Sequence, residues 1–448
     1  MNAVADRTAN GQPGSGSTSA PVRPRGRQAA FGFIFAAAVM NALSFGLMIP
    51  VLPSLIRSFF GATSAASTAS AAYWQFIFGV TWGGMQFFSG PVLGMLSDRF
   101  GRRPVLLISI LGLSLDFLVM TFAPTLAWLL IGRVLNGATA ATFSTANAYV
   151  ADISTPERRA RNFGWMSSAF SVGFLLGPTA GGILTEHAIH LGSFVLDGIR
   201  VPFLVAAILC AINWFYGLLV LPESLPPERR IAAFNWRRAN PLESLRLLRS
   251  HRDLLPLASI NFLFQLAQQV LPNIFVLYTQ LRYHWSLSFL GITFFITGVL
   301  SILVQSFIVG PVVARIGERG AVIVGAAAGM TGFVIYALAP TGTIYFIGMP
   351  IFALMGLMQP GLQGLMTQHV TGSEQGRLQG ANQSTAGIAA ILGPIIFPLS
   401  YAWALLNLPG EPGVPVFIAA ALLALALALA LRFAQRETPP DAGAPQVA

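Results

Sequence analysis

The sequence predicts an all-α polytopic membrane protein of twelve transmembrane helices, arranged as two pseudo-symmetric six-helix bundles. Three observations lead there. Hydrophobic residues make up 54% of the chain and charged residues only 9%, against roughly 25% charged in soluble domains. The apolar residues fall in runs of about twenty, the length a helix needs to cross a hydrocarbon core. One offset of 216 residues carries three separated segments of the first half onto the second, which is the mark of an internal repeat.

In order, residues 1–30 are rich in Gly, Ser and Pro and read as a disordered cytoplasmic tail rather than a cleaved signal, since the apolar run that follows is long enough to span. Spans are expected near 31–56, 72–96, 104–123, 127–150, 163–185 and 201–221, which form the first bundle over 31–221. Residues 222–254 form a polar linker. Six more spans, near 255–279, 287–312, 321–339, 344–366, 380–404 and 414–431, form the second bundle over 255–431, and 432–448 is a second tail. All 26 basic residues are arginines; with the first tail inside, 22 of them lie on the cytoplasmic side, and only Arg57, Arg200 and Arg282 lie outside. That asymmetry orients the chain with both termini in the cytoplasm of the inner membrane. Within the linker, Leu242, Leu245, Leu247 and Leu248 among arginines read equally as an amphipathic helix on the inner leaflet or as a solvated tether.

Between the second and third spans lies a charged knot, Gly94-Met95-Leu96-Ser97-Asp98-Arg99-Phe100-Gly101-Arg102-Arg103. Its weaker copy holds Gly310, Arg315, Gly317 and Arg319 at the matching places. The same offset carries Arg161, Gly164 and Gly177-Pro178 onto Arg377, Gly380 and Gly393-Pro394. Asp98 has no counterpart, for Ala314 stands there. In one reading the knot is a latch: Asp98 pairs with the N-terminus of the eleventh span, where unsatisfied N–H groups favour a carboxylate, and Arg102 pairs with Asp152. Gly94 would allow close packing and Gly101 a tight turn, with Arg99 beside them. In the other reading it is a turn that only sets topology. That explains the arginines but not Asp98.

These motifs resemble the major facilitator superfamily, and in particular its drug:proton antiporters. The knot is similar to that family's loop signature between helices 2 and 3. Leu130, Arg133 and Gly137 resemble its helix 4 signature, and Gly173, Gly177, Pro178, Gly181 and Gly182 its helix 5 packing pattern. Gly46, Pro50 and Pro53 resemble helix 1 of its exporters. Ser97 to Leu107 and Phe163-Gly164-Trp165 look like the tetracycline efflux branch, and the similarity runs from about residue 31 to 430. It implies alternating access between two halves, with a substrate site at the midplane.

Two charged side chains stand well inside spans, Asp116 and Arg133. An ionisable group at bilayer depth costs about 2.5–3.5 kcal/mol on insertion scales and is a functional candidate by default. Counted from the outer ends of their antiparallel helices, the two lie at similar depth. Asp116 then reads as a proton carrier, as half of a static ion pair with Arg133, or as a substrate contact. The resemblance favours the first, because the tetracycline pumps carry an acid and an arginine at these positions. It also marks departures: Asn41, Ser301 and Gly329 stand where those pumps carry titratable groups.

Neutral polar groups should line the cavity: Asn41, Gln75, Asn136 and Asn147 in the first half, and Asn261, Gln265, Gln269, Asn273, Gln305, Gln359, Gln363 and Gln383 in the second. The competing role for each is a hydrogen bond between helices. As a set, among Phe, Trp and Tyr, they suit a bulky amphipathic compound with few formal charges. Cys210 is read as a core residue. The five histidines are too scattered for a metal set. No phosphate loop, dinucleotide motif or nucleophile elbow is present, so no enzyme activity, cofactor or nucleic acid is called for. The expected partners are a small-molecule substrate, protons and the lipid bilayer, with the chain acting as a monomer. The rival expectation is a facilitator or metabolite exporter that uses no protons.

Overall fold

The computed structural model describes residues 24–140, 142–230, 254–370, 374–408 and 410–434. It is almost entirely helical. The first half holds α1 (Pro24–Ser58), α2 (Ala65–Phe100), α3 (Arg102–Phe122), α4 (Leu126–Thr139), α5 (Thr142–Ile153), α6 (Pro156–Leu184) and α7 (Val201–Val220). The second holds α8 (Leu254–Gln268), α9 (Val270–Tyr283), α10 (Leu287–Leu303), α11 (Val309–Leu338), α12 (Gly342–Ala353), α13 (Met358–Gln368), α14 (Gln375–Asn407) and α15 (Val414–Ala434).

Local chemistry sets many of the boundaries. Ser64 and Ser67 cap α2 reciprocally, each side chain accepting the other's backbone N–H. Pro156 opens α6, where a missing N–H costs nothing. Gly101, at φ 109°, ends α2 and starts α3, a backbone state that L side chains rarely adopt. Its copy Gly317, at φ 72°, bends α11 in the same way. The expected fourth, seventh and tenth spans are each built from two pieces: α4 with α5, α8 with α9, and α12 with α13.

Ten segments among the described residues are long and apolar enough to cross a membrane. One of them, Leu287–Leu338, runs 52 residues, about 78 Å of helix and more than twice a hydrocarbon core. Divided at Gly317 it accounts for the expected eighth and ninth spans. The second expected span is α2, which is not among the ten. Large side chains such as Phe88, Leu219 and Phe307 are more than two-thirds exposed, as a lipid-facing surface requires.

Three boundaries depart from expectation. α1 starts at Pro24, inside the segment read as a tail, because a helix can run past its apolar stretch on its own backbone hydrogen bonds. A β-hairpin, β1 (Ile189–Leu191) with β2 (Phe194–Leu196), joins α6 to α7; Gly192, at φ 62° in its two-residue turn, supplies the positive φ such turns demand. The start of the linker, Pro222 to Leu225, docks on the first half. The expected amphipathic helix around Leu242–Leu248 lies outside the described residues, as do most of both tails.

Within the first half, α1 and α6 meet through glycine. A Cβ on Gly173 would sit 2.5 Å from Ala42 Cβ, one on Gly177 2.6 Å from Gly46 Cα, and one on Gly181 2.4 Å from the Leu47 carbonyl oxygen; Pro178 packs on Gly46. The two halves touch along two seams that the 216-residue offset relates. Pro178 and Thr179 of α6 abut Gly291 of α10, where Thr179 donates to the Gly291 carbonyl at 3.0 Å. Pro394 of α14 abuts Gly79 of α2. Both contacts lie toward the end away from the knot. There Ser54 also donates to Gln280 at 2.9 Å, and Ser288 donates to Glu186. Nearer the knot α2 and α14 still meet at Phe87 and Gly387, while a Cβ on Gly90, Gly94, Gly164 or Gly310 would meet nothing within 4 Å.

Candidate functional site

α3 and α4 are antiparallel neighbours, and the turn between them places Asp116 opposite Arg133. The two form an ion pair, with Asp116 fully buried and Arg133 nearly so. Sulfur fills out the shell: the guanidinium also points at Met48 Sδ (3.2 Å) and Met120 Sδ (3.7 Å). Gly132 makes the approach possible, since a Cβ there would lie 2.5 Å from Asp116 Oδ1. The pair is incompletely satisfied. Asp116 Oδ1 and Arg133 Nε have no hydrogen-bond partner among the described residues, and such groups in a buried pair are costly unless something else uses them.

One turn along α4 from Arg133, Asn136 reaches a cavity of about 390 Å³. Its walls come from α1 to α6 and include Asn41, Phe45, Trp82, Gln86, Ser109, Thr139, Thr142 and Phe170, with small alanines between them. None of the lining residues is charged. Trp82 donates its indole N–H to Asn136 Oδ1 at 2.7 Å, and Phe45 packs against Trp82 and Phe174 with ring centroids 5.9 and 6.2 Å apart. Asn136 also stands beside the Asp116 carboxylate. An aromatic, uncharged chamber is thus separated from a buried ion pair by one amide.

Of the amides expected to line a cavity, the structure places Asn41 and Asn136 on this wall. Gln75 is half-buried, its Oε1 without a partner among the described residues, and Asn147 is half-buried on α5. Several in the second half tie helices together. Asn261 donates to Asn382, which donates to Gln363, both at 3.4 Å, and Asn273 donates to the Gln269 carbonyl at 2.8 Å. The Gln269 side chain packs on Gly393. Gln265 is half-buried, while Gln305, Gln359 and Gln383 are exposed. Trp82 and Gln86 were not singled out from the sequence. The signal available for Trp82 was an indole N–H deep in a span, which must find an acceptor.

At the knot, Asp98 pairs with Arg102 one turn on, and Arg102 also reaches Asp152 at 3.2 Å and Ser97 Oγ at 2.7 Å. Arg99 lies over its neighbour's ring, 5.4 Å from the Phe100 centroid. Gly94 faces open space in this conformation. An unexpected residue completes the knot. Glu223 accepts the backbone N–H groups of Arg102 (2.8 Å) and Arg103 (3.3 Å), and those of Ser224 and Leu225 at 2.9 and 3.0 Å. A carboxylate therefore caps α3 from the far end of the first half, against Gly101, whose missing Cβ would lie 2.1 Å from Glu223 Oε2. Arg103 returns the contact by donating to the Leu218 carbonyl at 2.7 Å. In the second half, Glu318 accepts from Gln368 and lies against Gly364.

Comparison with known proteins agrees with this geometry. The sequence model described as the Major Facilitator Superfamily matches residues 34–394. The tetracycline resistance protein, class C, of Escherichia coli is 38% identical over 369 residues, covering 82% of this chain and 89% of that protein. The class H tetracycline resistance protein of Pasteurella multocida is 30% identical over 404 residues, covering 90% and 96%. Among solved structures, a bacterial homologue of the human lysosomal transporter Spinster superposes with a TM-score of 0.73 at 15% identity, covering 94% of this chain and all of that one.

Proposed function

Because the chain belongs to the Major Facilitator Superfamily and is a multi-pass membrane transporter, we propose that it exports a bulky, amphipathic, tetracycline-like compound in exchange for protons. Both termini face the cytoplasm of a bacterial inner membrane, and the two halves rock about their seams to expose the cavity alternately. The observation that carries this reading is the buried Asp116–Arg133 pair set one amide behind an uncharged aromatic chamber. The chamber selects a ligand with extended apolar area and neutral hydrogen-bonding groups. Asp116, fully buried inside a span and paired with the Arg133 guanidinium, supplies the proton site. Tetracycline resistance proteins among the relatives supply the compound class.

The test is uptake of tetracycline into inverted membrane vesicles driven by an imposed pH gradient. Asp116→Asn should abolish the gradient-driven component while leaving downhill exchange. Unchanged gradient-driven uptake in that variant would remove Asp116 from the mechanism. One observation favours a proton-independent facilitator or metabolite exporter. Positions where the resembling pumps are titratable hold no acid here: Ser301 donates to the Thr297 carbonyl at 2.9 Å, and Gly329 is covered by Met355 and Leu423. Transport of a compound panel with no proton flux would establish that alternative.

A further inference from the structure

We infer that Asn41 and Gln86 form an amide clamp that reads the polar edge of the transported compound. The clamp selects a flat ligand that carries a hydrogen-bond donor and acceptor side by side, such as a carboxamide or an enolised diketone, and no net positive charge. This rests on the export reading above and names what that site recognises. α1 and α2 run antiparallel, and the packed rings of Phe45 and Trp82, 5.9 Å between centroids, set their register. One turn nearer the knot each helix carries an amide, Asn41 on α1 and Gln86 on α2, and both line the cavity. One turn nearer still, Ala37 lines the wall, and a Cβ on Gly90 would meet nothing within 4 Å. Outward from the knot end, the two helices thus present a mouth of small residues, a pair of amides and an aromatic end wall.

These two amides differ from the others inside the spans. Asn136 holds the Trp82 indole, and Asn261, Asn273 and Asn382 are bonded to neighbouring protein groups. Asn41 and Gln86 are half-buried and have no hydrogen-bond partner among the described residues. Polar groups at such depth are bonded in folded proteins, so what enters the chamber has to satisfy them. Each amide offers two N–H donors and one carbonyl acceptor. A ligand edge with donor and acceptor side by side can bond both at once, while its flat face lies against the rings of Phe45 and Trp82. The same wall rejects a cationic head. None of the lining residues is charged, so a cation there would lose water and gain no counter-ion, and an unpaired buried charge is costly.

The experiment is equilibrium dialysis of the purified full chain in detergent with two ligands, tetracycline and its analogue in which a nitrile replaces the carboxamide. Wild type should bind tetracycline about tenfold more tightly, the ratio that one good hydrogen bond sustains. Gln86→Leu and Asn41→Leu keep the bulk of the side chain and remove the amide. Each should bring tetracycline down to the affinity of the nitrile and leave the nitrile about where it was, because a bond already lost from the ligand cannot be lost again from the protein. Phe45→Leu should weaken both ligands alike and keep the ratio, as would general damage to the fold. Asn41→Asp should bind tetraphenylphosphonium, which wild type should not. If wild type binds both ligands equally, or both leucine variants keep the wild-type ratio, the clamp is wrong while the tetracycline-like reading stands. Tight binding of tetraphenylphosphonium to wild type would overturn the selection against cations. If wild type binds neither tetracycline nor the nitrile, the tetracycline-like reading falls and the clamp with it.

Discussion

Replacing Gly79 by alanine tests the seam between the halves. A Cβ at Gly79 would lie 2.5 Å from Pro394 Cβ and 2.7 Å from Pro394 Cγ. Carbon contacts settle near 3.5–4.0 Å, so the overlap is about 1 Å. Proline cannot swing away, because its ring is fixed to the α14 backbone. The helices must separate, and overpacking of this kind costs roughly 1–3 kcal/mol. Only the conformation in which α2 and α14 touch here bears that cost. The population should therefore shift away from it by a factor of about 5 to 150. The chain has a single cysteine, the buried Cys210, which makes paired spin labels practical. Labels at Phe100 and Gln375, on the knot ends of α2 and α14, should show a shorter distance distribution in Gly79→Ala than in wild type. Superimposable distributions would refute both the seam and the rocking motion inferred from it.

Two further outcomes follow from the knot. Glu223→Ala removes the carboxylate cap on the Arg102 and Arg103 N–H groups of α3 and its two other backbone N–H contacts, to Ser224 and Leu225; a lost cap costs about 0.5–2 kcal/mol, so a lower melting temperature is expected by fluorescence-detected size exclusion, and an unchanged one would mean water replaces the carboxylate at no cost. Asp98→Asn leaves Arg102 on Asp152 but removes the charge offered to α14 when the knot end closes. The Phe100–Gln375 distribution should move to longer distances and transport should slow. If neither changes, the knot sets topology and is no latch.

What could be read in advance depended on whether a residue's role is set by its own chemistry or by its neighbour's. The spans, the charged knot and the exceptional burial of Asp116 and Arg133 follow from composition and period, and the structure pairs those two as antiparallel depth allowed. The glycines of α6 were legible because only close backbone approach explains so many in one helix. The amides were not separable. Asn136 and Asn261 look alike in a sequence, yet one meets Trp82 at a cavity wall and the other meets Asn382 between helices. Glu223 was hidden for the same reason. A glutamate after a span reads as the start of a linker until Gly101 is seen to leave room for it.

The walls of the chamber run from Ile34 to Phe170, all within the first half. That separates access from fit. A rigid rocking of one half on the other changes which side of the membrane can reach the chamber, yet it leaves the spacing of Asn41, Trp82 and Asn136 as it was. A ligand can shift an equilibrium only by its differential affinity for the two states. Here rocking alone provides little, so a compound would be held almost as firmly facing one way as the other. Release uphill then demands a change made inside the wall itself. The wall residue that stands next to the buried pair is Asn136, one turn along α4 from Arg133.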